Sequence, residues 1–514
     1  MSDSQGRSLL FSSLLMSGAA YLSYAAGLLG SILVARTLGP HDYGVYAYII
    51  WLAGVSVSIM NHGLPVSAIK FISESIGADR PEVAGSFHVW LRRAHRWSVW
   101  GLGAVIFLFL LAKRPADWGR DFYFYAMAVL VAAYAKSAYL FNTSVSKGHR
   151  IFVIEAKTVA VMSLCNVLAL LLAWAVGISL QGMLLLYVLI SLGYWFSTIW
   201  MMRKAPILHD RGALPDDARA RLKHHLGWTI VLTGVGVFGE GAVNIYALNE
   251  FVGASEVGFY TIAAGLTKAG MDLLTVGLSS VLMAAMSHAA GRDGASGLTK
   301  VFGVAVKNFH FFGLLLVGVG CLSADWVVGL LYGDRYLAAV MLMKVMFIFG
   351  GLTLSEGVFA SLLSVLDKQR DRVFINVGSL LFTVPMSFGL IWRFGLSGAI
   401  WAYAINRAVV FAVAVISATR MTGIQAPWSI MARLSAAMVV ALLPALALTH
   451  FFPGMWVGVP ACAVFSLMFV ALASRWRVWD ADELSAVTRL AQRVPGAANV
   501  LSLLLPRAEA LRNG

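Results

Sequence analysis

Seven ionisable side chains fall inside long apolar stretches of this chain: Lys136, Glu240, Lys268, Asp272, Lys344, Glu356 and Arg407. Charge is costly in such surroundings, so each is a candidate for binding, coupling or gating. Four are basic and three acidic, which suits either the capture of an anionic group or the relay of a proton or cation. Lys268 and Asp272 stand four apart, the spacing at which two side chains on one helical face pair. Lys136 lies 11 residues before Lys147 and Glu356 lies 12 before Lys368, so the two belong at similar depth on corresponding helices. Facing each other, they would either staple two lobes together or part when an anion competes for Lys136. Arg407 and Lys344 have no partner at i±4 on their own helices. They are therefore the first choices for a phosphate contact, Arg407 above all because its planar fork matches phosphate oxygens. Glu240 reads either as a proton or sodium site or as an acceptor for a neighbouring helix.

Composition determines what kind of element positions these groups. With 59% hydrophobic and 12% charged residues and a mean hydropathy of +0.78, the chain reads as an integral membrane protein. Apolar windows of roughly 20 residues, each able to cross a ~30 Å hydrocarbon core as a helix, recur about fourteen times along the sequence. The first is longer than the core of a signal peptide and is expected to remain as a span. No polar stretch is long enough to fold as a soluble domain, so any chemistry belongs inside the bundle. Cys165, Cys321 and Cys462 are isolated in apolar runs and read as small core residues, not disulfides or metal ligands. No cofactor or metal is expected. His62, His288 and His310 are scattered and read as packing histidines, and Asp480-Ala-Asp482 as a solvated helix start.

A sequence repeat organises the spans. Leu38-Gly39-Pro40-His41-Asp42-Tyr43-Gly44-Val45-Tyr46 returns 214 positions later as Val252-Gly253-Ala254-Ser255-Glu256-Val257-Gly258-Phe259-Tyr260, and Gly63-Leu64 falls on Gly277-Leu278 at the same offset. Each copy joins two apolar runs, as in transporters built from two homologous lobes. The expected fold is an all-α polytopic membrane protein with about 14 transmembrane helices, two parallel six-helix lobes plus two C-terminal helices. The boundaries read as 1–202 for the first lobe, 203–226 for a cytoplasmic linker, 227–420 for the second lobe, 421–474 for spans thirteen and fourteen, and 475–514 for an amphipathic cytoplasmic tail.

Lys and Arg are distributed unequally between alternate loops, 29 against 6, with Lys136, Lys268, Lys344 and Arg407 inside spans. The positive-inside rule then places both termini in the cytoplasm and makes the two lobes parallel repeats. The net charge of +14 is spread over many short loops. That dispersal argues against nucleic-acid binding. Within the repeat, Gly39-Pro40 reads as a turn, Gly44 as a close packing point and the tyrosines as interface anchors. Arg36 precedes the motif and reads as a snorkelling side chain, or else as half of an outer gate with Asn249/Glu250.

The string Ala35-Arg-Thr-Leu-Gly-Pro-His-Asp-Tyr-Gly-Val-Tyr46, with Gly63-Leu64 and Leu331-Tyr-Gly-Asp-Arg-Tyr336, resembles the Wzx-type flippases. These form the polysaccharide-transport branch of the multidrug/oligosaccharidyl-lipid/polysaccharide superfamily. The resemblance implies transfer of an undecaprenyl-diphosphate-linked oligosaccharide from the cytoplasmic to the periplasmic leaflet of a bacterial inner membrane, by alternating access. It implies a non-enzymatic role in O-antigen, capsule or exopolysaccharide synthesis, with H+ or Na+ coupling and with polymerase and chain-length proteins as partners beside the membrane lipids. Two other classes compete. An exporter of cationic drugs would need carboxylates in the cavity, and a membrane glycan polymerase or ligase would need a long outer loop carrying acid or base groups, which these short outer loops do not offer.

Overall fold

The computed structural model describes residues 2–207, 214–239, 241–366, 368–452 and 454–479. Among them the chain is helical, without a strand. It divides into two compact units, the first made of residues 1–261 and 384–399, the second of 262–383 and 400–514. Its helices are α1 (Ser2–Asn61), α2 (Leu64–Gly77), α3 (Pro81–Ala112), α4 (Phe122–Gly148), α5 (Val153–Val176), α6 (Leu180–Arg203), α7 (Asp216–Phe238) and α8 (Ala242–Phe251). They continue with α9 (Ala254–Tyr332), α10 (Ala338–Leu352), α11 (Glu356–Val365), α12 (Gln369–Thr422), α13 (Trp428–Phe451) and α14 (Gly458–Arg475).

Ten described helical stretches are long and apolar enough to cross a membrane, and α7 with α8 passes the same test as a pair bent by 50°. Three of the ten run 44, 48 and 50 residues. That is about twice the ~20 a single crossing needs. The helices that contain them, α1, α9 and α12, each break at a glycine with positive φ: Gly39 (78°), Gly294 (63°) and Gly395 (57°). Dividing these three at their glycines gives two crossings each. The α7–α8 and α10–α11 pairs are single broken crossings, and α3, α4, α5, α6, α13 and α14 supply one each. The fourteen crossings expected from the apolar windows are thereby accounted for.

In lipid there is no hydrophobic drive to bring apolar helices together, so close packing of small residues carries much of the association. The second unit illustrates this in α13 and α14. Ala437, Ala441 and Ala445, spaced by one turn, are fully buried against Ala461, Phe465, Phe469 and Ala473. In the first unit the core beneath α2 gathers Phe71, Phe87, Phe141 and Leu222, with the Phe71 and Phe87 rings 5.1 Å apart. Large apolar side chains such as Trp97, Leu172 and Val176 remain exposed, as lipid-facing residues must.

Both copies of the repeat lie in the first unit, where they touch. Gly39 (φ 78°) and its counterpart Gly253 (φ 148°) each end a helical run in a backbone conformation that L side chains resist. Pro40 then opens the next run where no N–H is required. One turn later Gly44 meets Gly258, its partner at the 214-residue offset. A Cβ on Gly44 would overlap the Ala254 carbonyl oxygen, and a Cβ on Gly258 would lie 2.9 Å from the Pro40 carbonyl oxygen. Since Ala254 corresponds to Pro40, the contact is reciprocal. A reciprocal contact of this kind is what a local two-fold relation between duplicated segments produces.

Candidate functional site

In the first unit the intramembrane cation is Lys136 on α4. Its Nζ donates to the Tyr187 hydroxyl at 2.9 Å and stands 4.2 Å from the centre of that ring. Tyr187, on α6, packs edge-on against Tyr46 at 6.4 Å, and Tyr46 stacks on Tyr43 at 6.5 Å. The second tyrosine of the repeat motif therefore helps build a wall of rings about the lysine. No carboxylate among the described residues forms an ion pair with Lys136. An ammonium has three N–H donors. A phenol and a π face satisfy one donor and part of the field without neutralising the charge, which leaves capacity for an incoming anion.

Close by runs a chain of polar groups at the break between α1 and α2. Ser137 Oγ donates to Asn61 Oδ1 at 2.9 Å and sits 2.9 Å from His95 Nε2, all three side chains being buried. Ser98 Oγ donates to the Met60 carbonyl at 2.6 Å and lies 3.0 Å from His62 Nδ1. His62 has positive φ, and Gly63 follows at φ 89°. Ser98 thereby satisfies the Met60 carbonyl beside the helix break, the usual condition for irregular chain at membrane depth. His62 is thus bonded and structural, as its isolation in the sequence suggested. His310, in the second unit, likewise meets Ser435 Oγ at 3.1 Å.

In the second unit the charges are paired. Arg407 Nη1 on α12 donates to Glu356 Oε2 at 3.4 Å, and its guanidinium stands 5.9 Å from the Tyr403 ring centre. Glu356 opens α11 just after the non-helical turn at Thr353 to Ser355. A carboxylate at a helix N-terminus also profits from the helix dipole. Lys344 on α10 reaches Asp325 on α9 at 2.6 Å. Lys268 and Asp272 pair at 3.3 Å along α9, as their spacing predicted.

Arg407 and Lys344 have no partner at i±4 on their own helices, as read from the sequence, but Glu356 and Asp325 reach them from neighbouring helices, which a search along one helix cannot find. The expected Lys136–Glu356 pair is replaced by a partner for each inside its own unit, Tyr187 for the lysine and Arg407 for the glutamate. Of the Asn249/Glu250 pair weighed as an outer gate with Arg36, Glu250 faces Lys113 at 3.7 Å. Arg36 itself is exposed, three residues before the Gly39 break. Glu240 and the tail from Asp480 onward lie outside the described residues. Sequence reading missed Asp325, which falls just past an apolar window, and Tyr187, whose ring serves as a cation partner without any charge to mark it.

The Glu356–Arg407 pair makes a sharp prediction. Glu356→Gln leaves an arginine at depth without its carboxylate, whereas Glu356→Gln with Arg407→Gln removes both charges. The double variant should be the more stable in detergent, with a coupling energy of about 1–3 kcal/mol read from unfolding of the four forms. Additive effects would show the contact to be incidental.

A bundle of about fourteen crossings, duplicated, broken by glycines and carrying charge at depth, defines a polytopic membrane protein. Residues 9–290 match the polysaccharide biosynthesis protein family, Polysacc_synt, and the chain belongs to it. No curated protein sequence matches the chain. Among solved structures it resembles the lipid II flippase MurJ in an inward closed conformation, with a TM-score of 0.70 at 13% identity, over 90% of this chain and 99% of that one. It also resembles an inward-facing multidrug resistance MATE family transporter of the MOP superfamily, with a TM-score of 0.64 at 15% identity, over 78% and 94% of the two chains. At these identities the likeness is one of fold.

Proposed function

We propose that this protein is a flippase that carries an undecaprenyl-diphosphate-linked oligosaccharide from the cytoplasmic to the periplasmic leaflet of the inner membrane, serving surface-polysaccharide synthesis without catalysing a covalent step. Membership of the polysaccharide biosynthesis family across residues 9–290 carries the reading, and the MurJ-like fold supports it. Lys136 supplies the chemistry. An anionic diphosphate leaving water needs fixed positive charge and hydrogen-bond donors in place of its hydration shell. Lys136 offers both within a ring-lined setting of the first unit, and Arg407 and Lys344 join it only if the substrate displaces Glu356 and Asp325. Lobes at 1–202 and 227–420 would alternate access, with Lys268, Asp272, Glu240 and Glu356 as coupling or gating groups for H+ or Na+, and with polymerase and chain-length proteins as partners. The Gly44–Gly258 contact would be one end of the path in its closed state.

A cation exporter would need a carboxylate without a basic partner. Among the described residues, Asp272, Asp325, Glu250 and Glu356 each face a base. The deciding experiment is deletion in the native cell, followed by leaflet-resolved labelling of lipid-linked glycan. Accumulation on the inner leaflet, reversed by the wild-type chain, is the expected result. Unchanged glycan distribution with altered drug resistance would transfer the assignment to the exporter class.

Topology provides a separate check. The 29 to 6 excess of Lys and Arg puts the 203–226 linker in the cytoplasm. A single cysteine introduced there should resist an impermeant thiol reagent in intact cells and react after lysis. Labelling from outside would reverse the orientation.

A further inference from the structure

We propose that the groove between α3 and α4 is a binding site for an anionic glycerophospholipid, whose phosphate sits on Arg92 and Arg96 and whose acyl chain lies along Trp100, Gly103 and Phe107. Positions 92, 96, 100, 103 and 107 follow one another at intervals of four, four, three and four residues, which puts them on a single stripe of the helix. Along that stripe runs a cavity of about 640 Å³, walled by Val99, Trp100, Gly103, Ala104 and Phe107 from α3 and by Met127, Leu130, Val131 and Tyr134 from α4. Its floor is closed by Met60. Trp100 and Met127 are exposed, so the cavity opens to the lipid.

Three features decide the occupant. First, the charge: Arg92 and Arg96 stand one turn apart and exposed, and no carboxylate among the described residues forms an ion pair with either. Two guanidiniums at i, i+4 repel, and a shared phosphate converts that repulsion into two charge-assisted contacts. Second, the length: Arg96 to Phe107 is 11 residues, or about 16 Å of helix. That is half of a ~30 Å hydrocarbon core, the depth of one leaflet. An acyl chain ends there, whereas a long isoprenoid would overrun it. Third, the lining: the Trp100 indole N–H and the Tyr134 hydroxyl are the two N–H or O–H groups among the wall side chains, so the groove offers a saccharide few hydrogen-bond partners. Arg92 and Arg96 also fall near the start of the last 20 residues of α3, where the ~30 Å core ends and headgroups begin. A lipid seated here clamps α3 onto α4, the helix that carries Lys136.

Native mass spectrometry of the full chain in detergent tests this, with phosphatidylglycerol and phosphatidylcholine of equal chain length added in titration. The wild type should prefer the anionic lipid by about tenfold or more. Arg92→Gln with Arg96→Gln should abolish the preference, and Ala104→Phe, which fills the groove, should weaken retention of both lipids. Thermal unfolding of the same samples confirms that each variant is folded and should show stabilisation of the wild type by phosphatidylglycerol alone. Equal retention of the two lipids by the wild type, or an undiminished preference in the folded double arginine variant, would overturn the proposal. Displacement of phosphatidylglycerol by a polyprenyl phosphate, blocked by Ala104→Phe, would reassign the groove to the transport substrate. Displacement by inorganic phosphate alone would reduce the site to an anion contact without a lipid chain.

Discussion

Gly44→Ala is expected to be the most damaging single-methyl change in this protein. The added Cβ would fall inside the Ala254 carbonyl oxygen, so the two helices that cross at Gly44 and Gly258 must move apart before the variant can fold. Overpacking in a well-packed interior costs about 1–3 kcal/mol. A clash with backbone, which has no rotamer to yield, belongs at or above the top of that range. The reciprocal Gly258→Ala meets the Pro40 carbonyl oxygen at 2.9 Å, which also forces backbone to shift but by less than the overlap at Gly44 demands. It should therefore be milder, though the two glycines are equivalent in the repeat. Thermal unfolding in detergent, together with the amount of protein retained in the membrane, measures the difference. A Gly44→Ala protein as stable as wild type would mean that the contact is not held as described.

Replacement of Lys136 should have the largest effect on transport under the proposed function. Lys136→Ala removes the first unit's intramembrane cation that lacks a carboxylate partner. Two or three charge-assisted hydrogen bonds to a diphosphate would go with it, so a fall of about tenfold to a hundredfold in glycan export is expected, with little loss of folded protein. Little stability should be lost because Lys136 leaves behind a tyrosine hydroxyl, not an unpaired charge. Lys136→Arg keeps the charge but changes the reach and the fork, and should recover part of the activity. Tyr187→Phe removes the acceptor at 2.9 Å while preserving the ring, and should affect export less than Lys136→Ala does. Export normalised to folded protein separates these outcomes, and wild-type transport by Lys136→Ala would end the role assigned to it.

The contrast between Lys136 and Arg407 shows where sequence reading stops. Both were visible as basic residues at membrane depth, because an apolar window makes any charge conspicuous. Their partners were not visible. Glu356 and Arg407 are 51 residues apart on different helices, and Lys344 and Asp325 belong to different helices as well. Periodicity along one helix reports which residues share a face; it contains nothing about which face of another helix lies opposite. The pairing that could be read, Lys268 with Asp272, is the one confined to a single helix.

By itself the sequence determined that this chain is a membrane protein, about how many times it crosses, that it turns at Gly39-Pro40 and that it is a duplication, because hydropathy, span length and repetition are local or self-referential properties. It also marked Gly44 and Gly258 as equivalent. Only the tertiary structure decided that the two meet backbone to backbone, that Arg407 and Lys344 are neutralised by carboxylates from other helices, that Lys136 is left to a tyrosine, and that α3 and α4 wall a shared cavity. In each case the deciding quantity is a distance between segments remote in sequence, set by how close small residues let the helices approach.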